Sequence, residues 1–262
     1  MTEGALEPLL VSHRHERVAV LRMNRPDARN AMSPALSAAL GQALIDAEHD
    51  DAVRCLVLTG TGDRAFCSGM DLKAFAAGEA ATHGNAETRA AVTRLVDGTF
   101  SKPVVGAANA SAVAGGFEML MGCDLVVAAT IARFGLPEAK RGLFAARGGM
   151  FLSSRLPVAV VLELTLTGDS IDAQRAYELG LVNRVVPPEA VVPTAVDLAS
   201  RIARNAPLAV AASRDLVKLA MTDEAAARAR QPEWRDRVFN SADAKEGARA
   251  FVEKRDPVWT GR

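Results

Sequence analysis

The chain has 262 residues, with 31 basic against 31 acidic side chains, 49% hydrophobic and 24% charged residues. A neutral balance argues against a general nucleic-acid or membrane-surface binder, because such binding grows with the number of basic contacts. No linker, repeat or low-complexity tract divides the chain, so one core domain with a helical C-terminal extension is expected.

The N-terminal stretch from Met1 to Leu10 carries Glu3 and Glu7 and lacks a basic leader and a long apolar core. It does not read as a secretory signal, and the expected location is cytoplasmic. His13 and His15 fall on one side of an N-terminal strand by its two-residue period, and with no further ligand nearby in sequence a surface strand is the better reading than a metal pair. Val18 to Met23 reads as a strand entering a turn at Asn24-Arg25-Pro26-Asp27. Ser33-Pro34 is a helix start, serine as N-cap and proline in the first helical position, and the helix runs to about His49. Val53 to Thr59 is an apolar, β-branched run that ends in Gly60-Thr61-Gly62-Asp63, a buried strand and its turn. Phe66-Cys67-Ser68-Gly69-Met70-Asp71 is a tight loop opening a helix.

Further strands are expected at Pro103 to Ala107 and Asp124 to Ala128, with a helix after Gly115 between them. Charges are sparse from Pro103 to Ala132, yet Asn109, Glu118 and Asp124 with four glycines fit strand, turn and helix better than one membrane span. From Arg147 the pattern becomes helical. Asp172 caps a segment closing at Gly180, Val182 to Val186 is a brief strand, and amphipathic stretches follow at Pro188 to Arg204, Pro207 to Met221 and Asp243 to Lys254. Periodicity by itself leads to a doubly wound α/β sheet with a helical tail.

Cys55, Cys67 and Cys123 are odd in number, lack metal-like spacing and lie in or beside apolar segments, so reduced core thiols are expected. His49 ends a helix and His83 lies in a loop; neither joins a serine or cysteine in a nucleophilic constellation. Two glutamates stand out instead. Glu118 follows the glycine pair Gly115-Gly116 at a helix start, and Glu138 follows Arg133-Phe134-Gly135-Leu136-Pro137, a short strand broken by proline. A buried carboxylate is expensive unless paired, hydrogen-bonded or protonated, so the two are candidates for a general acid and a general base. On these residues alone, an acid at a helix N-terminus and a solvated loop residue are equally good descriptions.

Several segments, taken in order, resemble the crotonase superfamily of enoyl-CoA hydratases and isomerases. They are Leu21-Arg22-Met23-Asn24-Arg25-Pro26 with Asn30-Ala31-Met32, Ala65 to Leu72, Lys102-Pro103-Val104, Gly115-Gly116-Phe117-Glu118, Cys123-Asp124, Phe134 to Glu138, and Glu246-Gly247 with Ala250 to Arg255. The resemblance implies a crotonase-like spiral of ββα units in place of the doubly wound sheet. It divides the chain into an acyl-CoA-binding core at 1–200 and a C-terminal helical oligomerisation region at 201–262, which would build trimers or dimers of trimers.

The resemblance also implies site roles. The backbone N–H groups of Met70 and Gly115 would hold the thioester oxygen as negative charge develops on it. Glu118 and Glu138 would hold one water, Glu118 activating it for attack at the β-carbon and Glu138 delivering a proton to the α-carbon. Arg29, Ser68, Asp71, Leu72 and Lys73 fall where relatives contact coenzyme A, while Phe251 and Lys254 match positions that reach a neighbouring subunit's coenzyme A. No metal or redox cofactor is implied, since coenzyme A is part of the substrate. Two departures bear on this. Ala110 follows Asn109 where glycine is common, which would shift that turn, and the loop Gly142 to Gly149 introduces Arg147 near the acyl pocket. If Arg147 is instead a surface residue, the substrate is set by Phe117, Phe144 and their loop. The expected activity is 2-enoyl-CoA hydration to 3-hydroxyacyl-CoA. The alternatives are a dehydratase or isomerase acting on a polar acyl chain, of the carnitinyl-CoA dehydratase kind, to which Arg147 points, or a non-catalytic acyl-CoA- or RNA-binding relative. RNA binding is disfavoured by the absence of a lysine run, and a dead-site sensor by retention of both glutamates.

Overall fold

A computed structural model describes residues 8–78 and 84–262; His83 and the start of the N-terminal stretch, residues 1–7, lie outside the described residues. Apolar runs of five or six residues make the strands. β1 (Leu10–His15) and β2 (Val18–Met23) form an antiparallel hairpin turning at Glu16, and the parallel strands β3 (Cys55–Gly60) and β4 (Val104–Ala108) follow beside β2. After the short β5 (Ala112–Val113) come β6 (Leu125–Ala129), β7 (Arg133–Gly135), β8 (Ser170–Asp172) and β9 (Arg184–Val186). Every residue of β3 and β4 is buried, as expected of central parallel strands covered on both faces. His13 and His15 lie exposed on β1, an edge strand.

The large sheet runs β1-β2-β3-β4-β6-β9, and a second sheet runs β5-β7-β8. Bridges pairing Met32 with Met70 and Cys67 with Ala112 extend the pairing seen in the second sheet. The chain therefore repeats one pass: a long strand, a short pairing segment, a helix, then the next long strand parallel to the last. This corrects the doubly wound reading. A doubly wound sheet reverses its strand order about a switch point, whereas here successive long strands advance in one direction. Strand periodicity is blind to this, because the short segments that turn the spiral are too brief to show it.

Among the described residues, ten α-helices clothe the sheets. α1 (Pro34–His49) starts where Ser33 Oγ accepts the Leu36 N–H at 3.2 Å and buries Leu36, Leu40 and Leu44. Lys102 Nζ donates to the Ala47 and Asp50 carbonyls at 2.8 Å each, satisfying acceptors that a helix end leaves open. α2 (Leu72–Ala76), α3 (Ala86–Val96) and α4 (Gly115–Gly122) come next. α5 (Val158–Thr167) and α6 (Ala173–Glu178) precede α7 (Val191–Ala203), which packs on β2, β3, β4 and β6. α8 (Pro207–Thr222), α9 (Glu224–Phe239) and α10 (Ala242–Glu253) complete the chain. Position 200, the sequence-based division, falls inside α7.

Two polar clamps tie these layers together. Asp124, at the start of β6, accepts from the Val104 N–H at 2.8 Å, Arg214 Nε at 2.7 Å and Lys218 Nζ at 2.5 Å, anchoring α8 to the core. Asp243 of α10 is 2% exposed and accepts from the backbone of Thr260 at 2.7 Å and Gly261 at 2.9 Å, folding the C-terminal tail back. Cys55, Cys67 and Cys123 are free and buried, and burial pushes each thiol pKa up to about 12, so all three are core thiols.

Candidate active site

Two loops meet where α4 begins. Gly69 adopts φ +84°, a left-handed conformation, and a Cβ built on it would stand 2.9 Å from Gly115 N. At Gly116 a Cβ would lie 2.2 Å from the Cys67 carbonyl oxygen, so only glycine lets α4 approach the loop this closely. The approach brings the backbone N–H groups of Met70 and Gly115 together, and among the described residues neither donates to a protein acceptor. Gly115 is the first residue of α4, whose opening N–H groups have no partner within the helix. Two open donors side by side are what a developing oxyanion requires.

Glu118 is 5% exposed in the first turn of α4. Its Oε1 accepts three backbone N–H groups, from Arg147 at 3.2 Å, Gly148 at 2.7 Å and Gly149 at 2.9 Å. Three donors on one oxygen fix the carboxylate's direction. Its other oxygen lies on the Gly115 side, 3.8 Å from where a Cβ there would stand. Glu138 sits in a short 3-10 turn, Pro137–Arg141, that follows β7. Its Oε2 is buried with no hydrogen-bond partner. Burial raises its pKa above the ordinary carboxylate value, and the nearby charge of Glu118 adds to that rise. The structure thus brings Glu118, Glu138, Met70 and Gly115 to one place from three separate segments.

The other expected residues divide. Ser68 donates its backbone N–H to the Arg29 carbonyl at 3.1 Å, joining the loops that carry both, and Arg29 is exposed in a left-handed conformation. Leu72 and Lys73 lie exposed on α2. Asp71 is committed to structure: its Oδ1 caps α2 by accepting the Lys73 and Ala74 N–H groups, and its Oδ2 takes both terminal nitrogens of Arg25 at 3.1 Å. Burial pushes the Asp71 pKa up, but the Ala74 amide and Arg25 outweigh it and hold the group below its ordinary value. Phe251 is 85% exposed and Lys254 closes α10 in a left-handed conformation, and neither meets the residues above within this chain.

Arg147 contributes its backbone N–H to Glu118 while its side chain is exposed. Phe117 is fully buried with its ring 5.7 Å from that of Phe134, so it belongs to the core beneath α4. Phe144 is 78% exposed on the loop. At Asn109-Ala110 neither residue takes a positive φ, so the turn accepts alanine without strain. Asn109 instead works through its side chain, accepting from the Gly60 N–H at 3.1 Å and donating to the Gly62 carbonyl at 2.7 Å. Sequence reasoning missed the organiser of these loops, Asn30. It is fully buried at φ 53°; its side chain accepts from the Arg25 N–H and donates to the carbonyls of Thr61 and Ala65 at 3.0 and 2.9 Å. Its signals in the sequence were its place in the Asn30-Ala31-Met32 segment and its residue type, which tolerates left-handed backbone.

The enoyl-CoA hydratase/isomerase family profile matches residues 13–262. The chain belongs to that family. Carnitinyl-CoA dehydratase of Citrobacter koseri is 38% identical over 257 residues, 95% of this chain and 97% of its own length. The crystal structure of an enoyl-CoA hydratase from Mycobacterium marinum is 40% identical with a TM-score of 0.87, covering 98% of this chain and 100% of that one. The carnitinyl-CoA hydratase from Mycobacterium avium is 42% identical with a TM-score of 0.74, covering 97% and 99%. Family membership accounts for the spiral and makes the chain an enzyme of the crotonase superfamily.

Proposed function

We propose that the chain is a hydro-lyase acting on acyl-CoA thioesters, adding water across the 2,3 double bond of an enoyl-CoA or removing it in the reverse direction. The observation that carries this reading is the meeting of two carboxylates, one oriented by three amides and one with its pKa raised, beside two open N–H donors. The thioester oxygen would accept from Met70 and Gly115. Glu118 takes a proton from water as the hydroxyl bonds to the β-carbon, and protonated Glu138 gives its proton to the α-carbon. Return of the proton from Glu118 to Glu138 through solvent restores the starting state. Such a step requires no metal or redox cofactor, because charge is stabilised by fixed donors.

Two named relatives favour a second reading, dehydration or hydration of a carnitinyl-type acyl chain. That tail carries a quaternary ammonium, which the charge of Arg141, close enough to act on Glu138, would repel, and this supports plain enoyl chains as the preferred class. Arg29, Ser68, Leu72 and Lys73 are proposed to meet coenzyme A. The helices after residue 200, with Phe251 and Lys254 at their exposed end, are proposed to carry subunit contacts in a trimer or a dimer of trimers. None of the described helices is long and apolar enough to cross a membrane. The test is a panel of crotonyl, longer alkyl, carboxylated and trimethylammonio enoyl-CoA thioesters, assayed in both directions. Hydration of an alkyl member in preference to the charged ones is expected, and failure on every thioester overturns the proposal.

A further inference from the structure

Ala114 immediately precedes the Gly115 donor and holds φ 52° with ψ −136°. Such a conformation suits glycine, and a residue with a Cβ adopts it only when its surroundings enforce it. Here they do so from both ends. The Ala114 N–H donates to the Gly135 carbonyl at 3.0 Å, and its carbonyl accepts the N–H groups of Phe117 at 2.8 Å and Glu118 at 3.0 Å. Carbonyl and N–H point in opposite directions across a trans peptide. Capture of the Ala114 carbonyl by α4 therefore turns the Gly115 N–H away from the helix, and ties its aim to the residue whose carboxylate handles the proton.

Glycine at position 114 could make all three of these backbone bonds without strain. Whatever alanine adds must come from its methyl group. That methyl faces Gly69: a Cβ built on Gly69 would stand 2.8 Å from the Ala114 Cβ. Gly69 in turn precedes Met70, the other donor. We propose that Ala114 is a positioning residue whose methyl spaces the Gly69-Met70 loop from Gly115 and so sets the gap between the two N–H donors. The role rests on the hydro-lyase reading, in which those donors hold the thioester oxygen. Backbone strain at 114 is retained because relieving it with glycine would let the donors shift.

The test compares Ala114→Gly and Ala114→Ser with wild type in melting temperature, kcat and KM on the best enoyl-CoA. It adds the infrared carbonyl stretch of bound butyryl-CoA, which drops in frequency as the donors polarise the thioester. Ala114→Gly should melt higher, because its backbone strain is gone. Its kcat should fall about tenfold or more at unchanged KM, a fraction of the loss that follows removal of a whole donor. Its carbonyl shift should shrink. Ala114→Ser keeps a Cβ and should retain both kcat and carbonyl shift. Wild-type kcat and carbonyl shift in Ala114→Gly overturn the proposal, as does equal impairment of both variants or a loss of activity that only follows a lower melting temperature. The carbonyl shift needs no turnover, so a wild-type enzyme that binds butyryl-CoA but hydrates nothing would sink the hydro-lyase reading while still deciding the role of Ala114.

Discussion

Glu118 and Glu138 differ in how the fold treats their carboxylates, and the proposed division of work between them rests on that difference. Glu118 has one oxygen held by three amides, whereas Glu138 has an oxygen buried without a partner. Glu118→Gln and Glu138→Gln should each lower kcat by ~10²–10⁴-fold, with binding of coenzyme A retained, since a positioned acid or base contributes about that much. Near-native turnover in either would remove the two-carboxylate mechanism. Because the Glu138 pKa is raised in the folded protein, its acid form is lost as pH rises through that value, and hydration should fall on the alkaline side. Stability follows the same sign. Above the raised pKa the buried charge opposes folding, while below the ordinary carboxylate pKa both states are protonated and nothing is lost. Glu138→Gln should therefore melt higher than wild type at neutral pH, with the gap closing in acid; an acid-independent gap would place the effect elsewhere. Arg147 belongs to this scale too. Its side chain is exposed and its backbone serves Glu118, so Arg147→Gln should keep turnover on crotonyl-CoA while improving the ranking of the trimethylammonio thioester, read from specificity constants. An unchanged ranking would mean that the charge lies too far from the acyl tail to matter.

α4 is the element on which the site depends, and its placement rests on the absence of side chains. Gly116 lies so close to the Cys67 carbonyl that any Cβ would clash, and the clash is with backbone, which cannot rotate away. Gly116→Ala should lower stability by about 1–3 kcal/mol, the usual range for forcing extra volume into a packed site. Its activity should fall further than its stability, because the displaced loop carries Met70. Urea unfolding with kcat measured on the folded fraction separates the two, and full activity per folded molecule would show that the donors tolerate the shift. Gly115→Pro is the sharper change: it deletes the donor itself, with roughly 10²–10³-fold or greater loss expected in a variant shown to be folded by circular dichroism. The carboxylate cradle at residues 147–149 and the donors at 70 and 115 come from elements far apart in sequence. None of them forms a site without the others.

At the scale of the molecule, Asp124 joins the sheet to α8 through Val104, Arg214 and Lys218. Asp124→Asn should destabilise by about 1.5–3 kcal/mol, the range for hydrogen bonds to a charged group, discounted by the partial exposure of Lys218. A melting temperature equal to wild type would mean that α8 is held by apolar packing alone. Much of this architecture was legible beforehand. Ser33-Pro34 marked the start of α1, and Val18–Met23 matched β2, because capping chemistry and apolar runs are local properties. α3 and α9 were not foreseen: α3 carries an apolar stripe at Ala91, Val92, Leu95 and Val96 that sequence reasoning passed over, whereas α9 is polar with Pro232 inside it and offers no such stripe.

Sequence by itself determined the family, the two glutamates and the glycine loops, because these are ordered residue types whose spacing survives without coordinates. Tertiary structure alone decided what each does in space. It committed Asp71 to Arg25 and a helix cap, moved Phe117 into the core and made Asn30 the link between its own turn at Arg25 and the turn from Thr61 to Ala65. It also left the Met70 and Gly115 N–H groups open beside one another, and it placed the methyl of Ala114 against Gly69. The physical reason is common to all of these. A hydrogen-bond partner, a desolvated carboxylate and a backbone clash depend on what packs from distant parts of the chain, and a local residue pattern carries no record of that.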